Sequence, residues 1–323
     1  MSSVETVTGP VELDDIGPTL MHEHVFVLNT EILQNYGEYW ETEERIADAV
    51  TKLTALHERG VRTIVDPTVI GLGRYLPWVQ QVAAQVELNI VAATGLYTYD
   101  DVPFFFHHRG VVFDNDDEPM VRHFVRDITD GIADTGVKAG IIKCATDVKG
   151  PTPGVERVLR ACARAHRETG VAITTHTDAG TYRGRDQQRI FAEEGVDPSR
   201  VVIGHCGDST DTDYLRELMD SGSTIGMDRF GLDLLLPFEE RVATVAALCD
   251  QGYADRMVLA HDAACFIDWF DEGLQPVMAP NWHFTHISDD VLPALRERGV
   301  TDDQIDQMLV GNPRRLLAGG PAY

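Results

Sequence analysis

The sequence predicts a parallel (β/α)8 TIM barrel, on three observations. An apolar, β-branched run followed by an amphipathic helix recurs eight times along the 323 residues. The runs are continuous rather than alternating, as in strands covered on both faces. Many helical patterns are followed by glycine (Gly60, Gly136, Gly170, Gly195, Gly222 and Gly252), as expected where a helix ends on a left-handed residue.

In order, strands are expected at 19–25, 62–66, 89–94, 139–144, 172–177, 201–206, 224–228 and 257–262. Helical periodicity fills 43–59, 76–86, 120–133, 155–168, 185–194, 214–219 and 237–249, then 289–298 and 302–317 after the last strand. A single barrel domain over residues 1–323 accounts for these, with a long loop after the eighth strand at about 263–288. An open doubly wound sheet is the alternative. No Gly-x-Gly-x-x-Gly follows an early strand, which disfavours a dinucleotide-binding version.

The net charge of -25 and the pI near 4.7 argue against nucleic acid and against an anionic membrane surface. A small neutral substrate is easier to accept. Residues 1–13 are polar and acidic, without the apolar segment of a signal peptide, and no run is long enough to span a bilayer. The five cysteines, Cys144, Cys162, Cys206, Cys249 and Cys265, show no paired spacing. They are expected as reduced thiols of a cytoplasmic protein.

Barrels of this kind carry their active sites at the C-terminal ends of the strands. Here those ends concentrate possible metal ligands. His22 and His24 stand two apart in the first run, so a strand would turn both imidazoles to one face. Lys143 ends the fourth run, His176 the fifth, His205 the sixth and Asp262 the eighth. Four imidazoles and a carboxylate exceed what one catalytic zinc holds and suit two metals sharing a site. Lys143 is the odd member, because a buried ammonium beside two cations is strongly disfavoured. Carboxylation by carbon dioxide would make it an anion with two oxygens, able to bridge both metals. Strand alternation is expected to turn Glu23, Cys144, Cys206 and His261 to the opposite face. Asp66 and Asp228 end the second and seventh runs and could hydrogen-bond the ligands. His57, His107, His108, His123, His166, His283 and His286 fall in loops or helices and read as ordinary polar residues. No Gly-x-Ser-x-Gly elbow supports a serine hydrolase.

Two loops are long and apolar, which is uncommon unless they bind something. One runs from Tyr97 through Tyr99 to Phe106. The other follows Asp262 and carries Cys265, Phe266 and Trp269. Either could form an acyl channel or bury a subunit interface.

Five spaced motifs carry a resemblance: Thr19-Leu20-Met21-His22-Glu23-His24, Ala93-Thr94-Gly95-Leu96-Tyr97, Gly204-His205-Cys206-Gly207-Asp208, Gly226-Met227-Asp228-Arg229-Phe230-Gly231 and His261-Asp262. In this order, across residues 9–315, the chain resembles the phosphotriesterase-like lactonases of the amidohydrolase superfamily. The resemblance implies two divalent ions, zinc foremost, with cobalt, iron or manganese also suited to the ligands. His22, His24 and Asp262 would hold one ion, and His176 and His205 the other. N6-carboxylated Lys143 and a hydroxide would bridge them. Tyr97 would touch the substrate carbonyl, Arg229 would shape the pocket, and Asp262 would pass a proton to the leaving alkoxide. Tyr99, Cys265, Phe266 and Trp269 are expected at the substrate, and the 97–106 region near the two-fold contact of a homodimer.

The activity implied is opening of N-acyl homoserine lactones and other γ- or δ-lactones, which is quorum quenching, with promiscuous phosphotriesterase activity. A dedicated phosphotriesterase is the nearest alternative, followed by a cyclic amidohydrolase and a non-catalytic barrel. Ala263-Ala264-Cys265 after Asp262 departs from the bulkier or second thiol-bearing residue expected there, which implies a roomier pocket floor.

Overall fold

In the computed structural model, residues 2–109 and 118–323 are described. A short antiparallel hairpin, β1 (Ser3–Thr6) with β2 (Gly9–Glu12), opens the chain. The barrel strands follow as β3 (Thr19–Leu20), β5 (Thr63–Asp66), β6 (Asn89–Gly95), β7 (Ile141–Thr146), β8 (Ile173–Thr177), β9 (Val201–Ile203), β10 (Thr224–Met227) and β11 (Met257–Leu259). They pair in that order, all parallel. Between β11 and β3 the ring is closed by single bonds, Met21 N–H to the Leu259 carbonyl at 3.3 Å and Asp262 N–H to the His22 carbonyl at 3.0 Å. Beyond them β4 (His24–Val27) pairs in parallel with β12 (Ala264–Ile267). Helices such as Thr42–Glu58 and Pro153–Thr169 connect the strands.

Two apolar layers hold this arrangement. Inside the barrel, Met21, Val65, Val91, Ile141, Val202 and Val258 fill the bore. Outside it, the other face of the strands packs on the helices through Leu53, Ile64, Ile142, Leu159, Ile173 and Leu248. Because both strand faces are covered, the runs need not alternate. The hairpin sits against the N-terminal end, with Val7 N–H bonded to the Ile90 carbonyl at 2.8 Å and Val4 buried with the bore residues. The site is therefore left to the opposite end.

Several expected boundaries move. The first run is not one strand: it breaks at Met21–Glu23, so His22 lies in the bend and His24 opens β4. The sixth and eighth strands stop at Ile203 and Leu259, before their ligands. β7 runs on to Thr146 and places Lys143 in mid-strand. The loop after the eighth strand begins as β12, whose carbonyl and amide groups find partners on β4. Helices Phe104–His108 and Gln275–Met278 fall in stretches expected as loop, and helix Thr30–Tyr36 in a stretch to which no element was assigned. Among the described residues no helix is long and apolar enough to cross a membrane.

Candidate metal centre

The six expected ligands converge at the C-terminal mouth of the barrel. The nearest ligand atoms of His22, His205 and Asp262 lie within 4.8 Å of one another. His22 Nε2 and His24 Nε2 stand 3.3 and 3.2 Å from Asp262 Oδ1, and His205 Nε2 stands 3.8 Å from Oδ2. Lys143 Nζ is 3.1 Å from His22 Nε2, and the lysine is 1% exposed. The His176 and His205 rings lie 4.6 Å apart, edge to face.

The backbone takes unusual forms to deliver these side chains. His205, Arg229 and Asp262 have φ of 57°, 64° and 56°. Three of the five described non-glycine residues with positive φ are therefore at this site, and such strain persists only where the surroundings impose it. It also explains how His205 and Asp262 point inward without belonging to their strands. At Gly95 (φ 135°) a Cβ would lie 1.9 Å from the Lys143 carbonyl oxygen, so only glycine lets β6 approach β7 beside the lysine.

An outer layer of acceptors fixes the imidazoles. His24 Nδ1 donates to Thr68 Oγ1 at 2.7 Å, and that hydroxyl donates to Asp66 Oδ1 at 2.5 Å. His205 Nδ1 donates to Asp228 Oδ1 at 2.8 Å, and the backbone N–H of His205 donates to Oδ2. His176 Nε2 bonds Asp147 Oδ2 at 2.7 Å. In each of these rings one nitrogen is engaged by the outer layer, which leaves the other to face the centre. The donor set fits two divalent cations: soft-to-borderline imidazoles, a carboxylate and a convertible amine around one small volume.

The titrations agree with that design. Burial, reinforced by Lys143, lowers His22. Burial takes His176 down to about 4, and burial with the Arg229 charge drives His205 well below its usual range. These imidazoles are neutral, as ligands must be. His24 differs: burial would lower it, but Asp262 and Asp66 push it up to about 9. Burial pushes Lys143 down to about 8, against the pull of Asp262 and Asp228. Burial would raise Asp262, but the histidines around it and the Arg229 charge hold it far below the usual carboxylate range.

Tyr97 is half-buried. Its hydroxyl meets that of Tyr99 and lies 3.1 Å from His176 Nδ1. Arg229 bridges Asp262 (Nε to Oδ2, 3.0 Å) and Asp208 (Nη1 to Oδ2, 2.9 Å). Trp269 stacks obliquely over Tyr97 with ring centroids 6.5 Å apart. A cavity of about 560 Å³ rises from the ligands, walled by Tyr97, Tyr99, Leu235, Ile267, Trp269 and Trp282. Cys265 and Phe266 do not line it. Cys265 is buried in the helix-facing layer, and Phe266 packs against Trp40 and under the Arg45 guanidinium. Their neighbours Ala264 and Ile267 face the cavity instead.

Some site residues escape the sequence reading. Asp147 follows the true end of β7, three residues past the expected end, and so was not sought as an anchor for His176. Asp208 and the fully buried Arg241 brace Arg229 from behind, through a 2.7 Å ion pair and bonds to the Gly207 and Leu236 carbonyls. Nothing in the local pattern singles out an arginine on a helix for burial. Asp147→Asn preserves size and one acceptor but removes the charge behind His176. It is expected to weaken metal binding by about 10–100-fold, read by titration of metal-free protein. Unchanged affinity would leave Asp147 without that role.

A (β/α)8 barrel whose strand ends gather four histidines, a lysine and an aspartate, with three of the histidines braced by further carboxylates, defines a metal-dependent barrel hydrolase. The comparisons make this particular. The model of the phosphotriesterase family matches residues 2–317, and the chain belongs to that family. It is 62% identical, over the full length of both chains, to a "phosphotriesterase homology protein" of Mycobacterium tuberculosis. It is 40% identical to an "aryldialkylphosphatase" of Saccharolobus solfataricus, covering 95% of this chain and 97% of the relative. The solved "phosphotriesterase from Mycobacterium tuberculosis" superposes with a TM-score of 0.98 at 60% identity, covering 99% of this chain and 100% of that one.

Proposed function

We propose that the protein is a binuclear metal-dependent lactonase that opens N-acyl homoserine lactones and related γ- or δ-lactones, quenching quorum signals, with weak phosphotriesterase activity. The observation that carries this reading is the cavity. Its volume of about 560 Å³ suits a small molecule, and its walls are hydrocarbon and aromatic, with polar groups gathered at the floor. A neutral lactone ring meets the floor while an acyl tail lies along Leu235, Ile267 and Trp269. Ala264 at the floor makes room beside the ring.

His22, His24 and Asp262 would hold one divalent ion and His176 and His205 the other, with Lys143 bridging as the N6-carboxylate. Bound there, the ions would supply Lewis-acid polarisation and a nucleophilic water at neutral pH; zinc is favoured, with cobalt, iron and manganese compatible. The residues perform the rest. Burial and the neighbouring Tyr99 hold the Tyr97 phenol well above its usual range, so it stays protonated and donates to the developing oxyanion. Asp262 stays ionised, accepts the nucleophile's proton and returns it to the leaving alkoxide. Arg229 fixes the Asp262 carboxylate for that exchange. The product is the ring-opened hydroxy acid.

Phe104 is 81% exposed and Phe105 46%, on the helix after Tyr99, and supports burial of this region in a homodimer. Five buried free thiols fit a reducing, cytoplasmic setting.

The 40% identity to an aryldialkylphosphatase favours a second reading, a dedicated phosphotriesterase. Metal-loaded protein assayed on a long-chain N-acyl homoserine lactone and on a dialkyl aryl phosphate separates the two. The lactone is expected to have the higher kcat/KM by at least about tenfold, 1.4 kcal/mol in transition-state binding. The reverse order sinks the lactonase assignment.

A further inference from the structure

Glu23 stands between His22 and His24 and is fully buried. Its carboxylate points away from the ligand cluster and crosses the seam that closes the barrel. Oε1 accepts the backbone N–H of His261 and its ring Nδ1–H, both at 2.7 Å. Oε2 accepts the backbone N–H of Ala263 at 3.2 Å. One side chain thus grips the residues on either side of Asp262. Asp262 itself sits at φ 56° and donates its own N–H to the His22 carbonyl. A non-glycine residue keeps such a conformation only where its surroundings over-determine it, and the Glu23 grip supplies that restraint.

His261 extends the contact outward. With Nδ1 donating to Glu23, Nε2 accepts the backbone N–H of Ile287 at 2.9 Å, which fixes the tautomer. The His261 carbonyl accepts Trp282 Nε1–H at 2.9 Å, and Trp282 walls the substrate cavity. The far end of the strand-8 loop, its tryptophan wall and the Asp262 backbone therefore converge on one carboxylate.

We propose that Glu23 is a positioning residue that sets the pose of Asp262 and couples it, through His261, to the Trp282 wall of the cavity. The inference rests on the metal-centre reading, which gives Asp262 its task. A packing role alone would tolerate an isosteric amide. The converging bonds would not: three N–H groups aim at Glu23, and glutamine offers one acceptor oxygen and turns an NH₂ group toward the remaining donors.

The test titrates metal-free protein with cobalt(II) and follows its visible absorption, which reports ligand geometry. Wild type is expected to take up about two equivalents. Glu23→Gln is expected to bind about 10–100-fold more weakly, with displaced visible bands. Affinity within about twofold of wild type, with the same bands, overturns the inference. If Glu23→Gln fails to fold, Trp282→Phe decides. It removes the Nε1–H donor, together with part of the ring, and touches no ligand, yet the coupling predicts about fivefold weaker cobalt binding; an unchanged isotherm overturns the inference. Wild type without cobalt uptake overturns the metal-centre reading together with this one. Wild-type uptake with unaltered variants overturns this one alone.

Discussion

Lys143→Ala is expected to lower kcat by about a thousandfold or more, since the charge stabilisation a metal pair contributes amounts to several kcal/mol. The lysine is the one possible ligand that reaches the cluster from β7, and its amine lies 3.1 Å from His22 Nε2. Short carboxylates such as acetate or propionate are expected to restore part of the lost activity by entering the space of the side chain. Full activity in the variant would refute the bridging role. The pH dependence has a definite sign. Only the neutral amine attacks carbon dioxide, and Lys143 is pushed down to about 8 by its burial. Activation of metal-free protein by zinc and bicarbonate should accelerate as pH rises from about 7 to 9. Flat or falling activation across that window would contradict carboxylation as the activating step.

Asp262→Asn is the second large effect. The substitution keeps the volume but removes the charge on which His22, His24, His205 and Arg229 converge. On the proposed function it would take away both a ligand and the proton carrier, so kcat should fall by about 10²–10⁴-fold. Added carboxylates should not rescue it, because the left-handed backbone, rather than an open space, delivers that oxygen. A variant that keeps more than about a tenth of wild-type kcat would remove Asp262 from proton transfer.

The two substitutions probe different kinds of placement, and that difference tracks how legible each residue is in the sequence. Lys143 and His176 sit inside regular strands, so the periodicity of the chain predicts where they emerge. His22, His205 and Asp262 were also expected to gain their direction from strand alternation. They do not: all three lie outside the ladders, in a bend or at left-handed turns. The expected residues do gather at one mouth of the barrel, but the geometric reason expected for three of them does not hold. Glu23 and His261 were expected to face away from the site, and both do. They are nevertheless buried and bonded to each other rather than idle.

The sequence also foretold apolar loops around the mouth but not which side of each loop faces inward. Cys265 and Phe266 were expected at the substrate, whereas Ala264 and Ile267 line the cavity. That outcome depends on β12 pairing with β4, a contact between segments about 240 residues apart in the chain. Asp147 and Arg241 were invisible for a related reason: their importance lies in the group they meet across the fold, His176 and Asp208.

What the sequence determined by itself is the class of fold and the kinds of residue that meet at the mouth of the barrel. Strand-helix alternation, continuous apolar runs and the residue types at the strand ends are local properties of the chain. What only the tertiary structure decided is the orientation of those residues and the bracing behind them. Closure of the barrel brings the first and last strands together, and the bonds formed there hold Asp262 in a conformation that no local preference would select.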